Sequence, residues 1–414
     1  MPDELPLIRP TPPPFPWAEP YLTVGVTGTN GKTSTTVLVA HALRSAGHSV
    51  LTETTLGYAL DDELMSVERT VRGYLGALER AARRGCRHAS IEVTSEALAR
   101  GFAKRWRFDV GVFTNLSRDH LESHGSFEHY LASKAQLFVH LGPGRTAVLN
   151  ACDESALLLD RVTPEDVRRV WYAASSRGAV LHPADLAARR VELSADGTHI
   201  ELEPSAHAER LGGKLETTLV GEIFAENALA AAAAALSAGV EGRHVRDGIA
   251  RCPGVPGRFE IVHRLPLVAI DYAHTPDALA RTCETARRLA NSARVFVVFG
   301  AGGGRDAGKR EPMGRAVGQR ADIAIVTTDN PRNEDPRSIA RALSAGCRRG
   351  GRAYVKLEPD RREAIRQALS EAREDDVVVI AGKGHEAEQV VGKQRQAFSD
   401  FDVVAEFFAE SRPQ

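Results

Sequence analysis

The sequence has few cysteines, few aromatic residues and almost no charge imbalance. Its 414 residues hold five cysteines, Cys86, Cys152, Cys252, Cys283 and Cys347, far apart and without a CxxC pair. That spacing argues against a disulfide framework and a zinc ribbon, and it fits a reducing, cytoplasmic setting. The 53 basic and 54 acidic side chains nearly cancel, which argues against a general nucleic-acid or anionic-membrane binder while leaving room for a local anion site. No apolar run reaches the roughly 18 residues that a membrane span needs. The first residues also lack the basic start and apolar core of a secretory signal. Hydrophobic residues make up 43%, an ordinary share for a globular chain, so disorder is not the main state. At ~100–200 residues per domain the length predicts two or three domains.

Proline is concentrated at the start. Pro2, Pro6, Pro10, Pro12, Pro13, Pro14, Pro16 and Pro20 exclude helix there, and residues 1–20 read as an extended leader rather than a domain. From Tyr21 short apolar runs alternate with helical stretches. Tyr21–Val26, Ala89–Val93, Val110–Thr114 and Thr146–Leu149 read as buried strands, and the alanine-rich Ala225–Ala238 as a helix. RCPGVPGRFE, Arg251 to Glu260, carries two prolines and two glycines and marks a hinge. Five further strands are expected at Leu267–Asp271, Val295–Gly300, Ile323–Thr327, Ala353–Leu357 and Val377–Ala381. The pattern predicts an α/β fold in two parts. A P-loop ATPase domain with a mostly parallel sheet spans 21–250, and a Rossmann-like, doubly wound domain spans 251–414.

The strongest local signal is Gly28-Thr29-Asn30-Gly31-Lys32-Thr33, between a strand and a helix. Glycines let backbone N–H groups turn toward phosphate oxygens, and the helix N-terminus adds partial positive charge. Lys32 suits the β- and γ-phosphates, and the Thr33 hydroxyl suits Mg²⁺. The loop is a short GxxGKT form, with Val26 where the longer pattern has glycine. ATP and Mg²⁺ are the implied ligands.

Other candidates stand at the carboxyl ends of expected strands, where open α/β sheets bind ligands. Glu92 closes a strand and offers a hard oxygen to Mg²⁺. Arg305, Asn330 with Arg332, and Gly382 with Glu386 follow three strands of the second part. Two arginines and a glutamate can hold an amino acid with a charged end group, although the same residues also suit plain turns. His120 and His124 stand four apart, as a zinc pair or a chance helix pair, and for Lys134 an ordinary solvated lysine is the alternative to a site residue. Cys86 near His88 reads as an inert, partly buried thiol.

Val24 to Thr36 (VGVTGTNGKTSTT) resembles the nucleotide loop of the Mur ligases, the ATP-dependent carboxylate–amine ligases of peptidoglycan synthesis. FDVGVFTNLSRDHLESHG, VPGRFE, DYAHTPDAL, FGAGGGRDAGKR, DNPR and AGKGHE follow in the family's order. Together they are similar to Mur ligase E, the type that adds the third amino acid to UDP-N-acetylmuramoyl-dipeptide. The resemblance implies metal binding by Thr33, Glu92 and His120, and by Lys134 once carbamylated. It places Arg258 at the γ-phosphate on domain closure, with Asp271 at the ribose. Tyr272 and His274 would lie near the nucleotide, and Asn227 on the adenine side. It also implies meso-diaminopimelate, held by Arg305, Asn330, Arg332, Gly382 and Glu386.

Departures accompany the likeness. The family's UDP-holding domain of roughly a hundred residues would precede the phosphate loop, where this sequence has only the leader. Thr94-Ser95-Glu96 stands where the family has Ser-Ser-His, and Phe224 where it has an asparagine. The expected activity is therefore amide-bond formation through an acyl phosphate, between an amino acid and the carboxylate of a short acidic peptide. UDP-sugar binding by a partner stays open. So do a ligase for another acidic metabolite, similar to folylpolyglutamate or cyanophycin synthetases, and a non-catalytic nucleotide-binding regulator.

Overall fold

The computed structural model describes residues 21–68, 70–117, 126–174 and 178–410. Two sheets organise them. The first holds β1 (Leu22–Thr27), β2 (Val50–Thr54), β3 (Gly57–Leu60), β4 (Glu63–Met65), β5 (His88–Glu92), β6 (Val110–Phe113), β7 (Thr146–Asn150), β8 (Arg168–Ala173), β9 (Leu186–Ser194), β10 (Gly197–Leu202) and β11 (Lys214–Thr217). Its order is β11-β10-β9-β8-β7-β6-β1-β5-β2-β3-β4. The middle is parallel, from β9 through β2. Both ends are antiparallel, β9–β10–β11 on one side and β2–β3–β4 on the other.

The parallel strands are near-continuous apolar runs because helices cover both faces. In β1 every residue after Leu22 is buried, and β6 and β7 are buried throughout. Helix Glu222–Ser237 is enclosed as well, with Phe224 through Leu236 all buried. A helix surrounded on every side needs small side chains, and Ala230 to Ala235 have no exposed surface. Alanine also has the highest helix propensity, so the same run favours the helix and its burial. This helix packs on Lys32–Ser45, the helix that follows the phosphate loop.

The second sheet holds β12 (Glu260–Arg264), β13 (Leu267–Asp271), β14 (Val295–Phe299), β15 (Ile323–Val326), β16 (Tyr354–Leu357) and β17 (Val377–Ala381), in the order β12-β13-β17-β14-β15-β16. Only β12 is antiparallel. A hairpin of β18 (Glu388–Val391) and β19 (Gln394–Ala397) follows. The expected strands fall within one residue of the observed bounds. The expected P-loop domain with a mostly parallel sheet and the Rossmann-like doubly wound sheet are both present. No helix among the described residues is long and apolar enough to cross a membrane.

The two sheets present their carboxyl edges to a common cleft of about 400 Å³. Residues following β1, β2, β5 and β6 line or support one wall. Residues following β13, β14, β15 and β17 line the other.

Candidate active site

The phosphate loop runs from β1 into helix Lys32–Ser45, with Gly31 at φ 85° as the last residue before the helix. Gly28, at φ 152°, lies so close to β6 that a Cβ would overlap Thr114 Oγ1. The loop is fixed by the segment after β6. Thr29 N donates to Asn115 O at 2.7 Å, Asn30 N donates to Asn115 Oδ1 at 3.0 Å, and Asn115 Nδ2 donates to Asn30 O at 2.9 Å. Asn115 is buried, and its place at a strand end inside FDVGVFTNLSRDHLESHG was the sequence signal that could have pointed to it.

Lys32 Nζ donates to Thr29 O at 2.8 Å and lies 4.0 Å from Glu92 Oε1. Thr33 Oγ1 donates to Glu92 Oε2 at 2.8 Å, and Thr55 N reaches the same oxygen at 3.1 Å. Thr33 Oγ1 lies 3.3 Å from Thr55 Oγ1. Thr55, just past β2, carries no motif that sequence reading could have used. Lys134, on helix Phe127–Val139, is buried; its Nζ donates to Gly28 O at 2.7 Å and lies 4.3 Å from the Tyr130 ring centroid. His120 and His124 lie outside the described residues.

Arg258 reaches this cluster from the hinge, with Nη2 donating to Thr33 Oγ1 at 3.1 Å. Its guanidinium lies 4.4 Å from the Tyr272 ring centroid, and its buried Nε has no partner among the described residues. Phe259, beside it, has φ 42°, unusual for a non-glycine residue. Asp271 holds that conformation. Its Oδ2 accepts from Phe259 N at 2.6 Å, and its Oδ1 accepts from Ala273 N at 2.8 Å and Thr282 Oγ1 at 3.0 Å. Burial pushes the Asp271 carboxyl up, offset by the Phe259 amide and Arg258. Expected at the ribose, Asp271 thus has one oxygen engaged on the hinge and the other on the turn and helix that follow β13. Tyr272 and His274 line the cleft, their rings 4.7 Å apart. Asn227 also lines it, 2% exposed, with no partner among the described residues for its buried Nδ2.

The opposite rim gathers the five residues expected to bind an amino acid. Arg305, Asn330, Arg332, Gly382 and Glu386 all line the cleft. Arg332 sits at φ 51° and its Nη1 donates to Gly303 O at 2.6 Å. Asn330 Nδ2 donates to Glu386 Oε2 at 2.8 Å. Gly382, at φ 113°, leaves room for Asp329, whose Oδ2 would lie 2.7 Å from a Cβ there. Burial pushes the Asp329 carboxyl up, opposed by Arg361 and Lys383. Asp329 and Lys383 stood inside quoted motifs, DNPR and AGKGHE, without an expected role. Cys86 donates to Ser49 O at 3.3 Å and His88 O at 3.2 Å. The thiol is thus directed at backbone carbonyls, and burial and His48 lower the His88 imidazole to about 4.

Two family models match the chain: the Mur ligase middle domain over residues 26–235 and the Mur ligase glutamate ligase domain over 257–384. UDP-N-acetylmuramoyl-L-alanyl-D-glutamate–2,6-diaminopimelate ligase of Solibacter usitatus (strain Ellin6076) is 41% identical over 389 residues, covering 92% of this chain and 76% of that protein. A solved structure of a ligase of that name superposes with TM-score 0.65 at 33% identity, covering 96% of this chain and 80% of the other. Mycobacterium tuberculosis folylpolyglutamate synthase, complexed with ADP and AMPPCP, shares the fold, with TM-score 0.68 at 22% identity over 96% of this chain and 93% of the other. With the phosphate loop and the hinge arginine meeting in one cleft, the chain belongs to the Mur ligase family and is an ATP-dependent ligase that forms carbon–nitrogen bonds.

Proposed function

We propose that the protein joins meso-diaminopimelate to the terminal carboxylate of a short acidic peptide of the muramoyl-dipeptide type. Residues 21–250 act as the ATP-binding unit and 251–414 as the amino-acid-binding unit. The observation that carries the reading is the meeting, in one cleft, of the Lys32–Thr33–Arg258 cluster with the rim of Arg305, Asn330, Arg332, Gly382 and Glu386. The names of the relatives at 33% and 41% identity support it.

The cleft fits a nucleotide. The unpartnered Asn227 Nδ2 and Arg258 Nε are buried donors that a bound molecule would satisfy. The phosphate-loop wall also fits Mg²⁺. Thr33 Oγ1 and Glu92 Oε2 are hard donors 2.8 Å apart. Neighbouring ligands of an octahedral Mg²⁺ at 2.0–2.1 Å stand about 2.9 Å apart, so both can serve one ion. Thr33 and Glu92 would hold it, with His120, and with Lys134 only as a carbamate, since an ammonium has no lone pair to give. The ion would supply charge neutralisation between phosphate oxygens.

The peptide carboxylate attacks the γ-phosphorus of ATP, ADP leaves, and an acyl phosphate forms. Lys32 and Arg258 stabilise the charge spread over the phosphoryl oxygens. The free amine of the second substrate then attacks the acyl carbon, phosphate leaves, and the amine's surplus proton goes to solvent. The rim aims that amine by holding the amino acid's far end, with arginines for a carboxylate and Glu386 for an ammonium.

The test is mass spectrometry of reactions containing ATP, Mg²⁺ and meso-diaminopimelate. One set contains UDP-N-acetylmuramoyl-Ala-Glu and the other a nucleotide-free Ala-Glu peptide. The ligated product with stoichiometric ADP is expected in the first set. Product from neither peptide sinks the reading. Chelation by EDTA should abolish turnover and added Mg²⁺ restore it. Glu92→Gln should raise the Mg²⁺ concentration for half-maximal turnover by roughly 10- to 100-fold, read from a Mg²⁺ titration. An unchanged titration would remove Glu92 from the metal site.

A further inference from the structure

Lys383 lies in the turn after β17 and is fully buried, 0% exposed, beside the acidic residues of the amine-side rim. A buried ammonium is costly unless each N–H finds an acceptor and the charge is met. Both conditions hold. Nζ donates to Glu388 O at 2.6 Å, to Glu386 Oε2 at 3.1 Å and to Asn330 Oδ1 at 3.4 Å. Three N–H groups meet three acceptors, and none is left for a substrate.

The Asn330 amide completes the clamp. Val390 N, which can only donate, reaches Asn330 Oδ1 at 2.9 Å and so fixes which way the amide points. Nδ2 is then directed at Glu386 Oε2, at 2.8 Å. Glu386 is held through Oε2 alone, and its Oε1 makes no hydrogen bond among the described residues. Both Glu386 and Asp329 line the cleft.

We propose that Lys383 is a positioning residue of the amine-substrate site. It holds Glu386 Oε2 and Asn330 so that Glu386 Oε1 faces the ammonium of the incoming amino acid. The inference rests on the amino-acid reading of the rim.

A double-mutant cycle on the full chain tests it, with meso-diaminopimelate as the amine and UDP-N-acetylmuramoyl-Ala-Glu as the acyl substrate. Lys383→Met should raise KM for meso-diaminopimelate roughly 10- to 100-fold, with KM for ATP within about twofold. Glu386→Gln should raise the same KM, and the double variant should be no worse than Glu386→Gln alone, because Lys383 acts through that carboxylate. Additive effects, or equal rises in both KM values, overturn the proposal. If Lys383→Met does not fold, Lys383→Gln, which keeps neutral donors, carries the same cycle. No product from the unaltered protein overturns the amino-acid reading and this inference with it. Product without a selective KM effect overturns the role of Lys383 alone.

Discussion

Arg258→Ala should lower kcat about 1,000-fold while leaving ATP binding nearly unchanged. Among the described residues the guanidinium makes one hydrogen bond, to Thr33 Oγ1, and lies over the face of Tyr272, and its buried Nε has no partner. A cation so loosely tied, at the point where the two sheets meet, is free to follow charge as it develops on the transferred phosphoryl group. On the proposed role its contribution would be concentrated in the transition state and would appear in kcat rather than in KM. Arg258→Lys should recover little of the loss, because an ammonium has neither the planar fork nor the stacking on Tyr272. Steady-state kinetics with calorimetric ATP binding on both variants checks this. A kcat within tenfold of the unaltered value would remove Arg258 from the chemistry.

Asp400→Ala destabilises the second sheet by about 3–5 kcal/mol, the cost of leaving a buried charge without its partner. Arg361 and Asp400 are both fully buried. Arg361 Nε donates to Asp400 Oδ1 at 2.8 Å, and Nη2 donates to Asp400 Oδ2 at 2.7 Å and to Ala381 O at 3.0 Å. Ala381 ends β17, so the pair sits under the turn that carries Gly382, Lys383 and Glu386. Hydrogen exchange at the β17 amides reads the loss where it occurs. Replacing both partners with apolar residues, Arg361→Met with Asp400→Leu, should recover most of it, since no unpaired charge then remains. Equal protection in Asp400→Ala and the unaltered protein would refute the argument.

Local apolar pattern carried much of this fold. The strands buried on both faces, such as β1, β6, β14 and β17, are continuous apolar runs legible in sequence. The antiparallel ends were not. In β10, GTHIEL, buried and exposed residues alternate toward its end, and β9 carries two adjacent exposed arginines, Arg189 and Arg190. Such strands are held by neighbours whose pairing no local run announces. The site divides the same way. Lys32, Thr33 and Glu92 follow from a loop motif and a strand end. Arg258 and the five rim residues needed the order of several motifs along the chain. The roles of Thr55, Asn115 and Lys383 came only with the structure, because their partners lie up to 86 positions away or in turns whose path the sequence leaves open.

Helix Pro276–Ala290 starts with Thr275 as its cap and Pro276 in its first turn, which sets Asp277 at the helix N-terminus. There Asp277 Oδ2 accepts from Asn30 Nδ2 at 3.1 Å, and Arg281 from the same helix pairs with Glu226 at 2.7 Å. A residue of the phosphate loop is thus bonded to an element of the other sheet. The shape of the loop and the angle between the sheets become variables of one equilibrium. If a ligand at the rim changes nucleotide affinity through this contact, the nucleotide must change affinity at the rim by the same factor. The order in which the substrates arrive leaves their combined binding free energy unchanged and shows only in the rates.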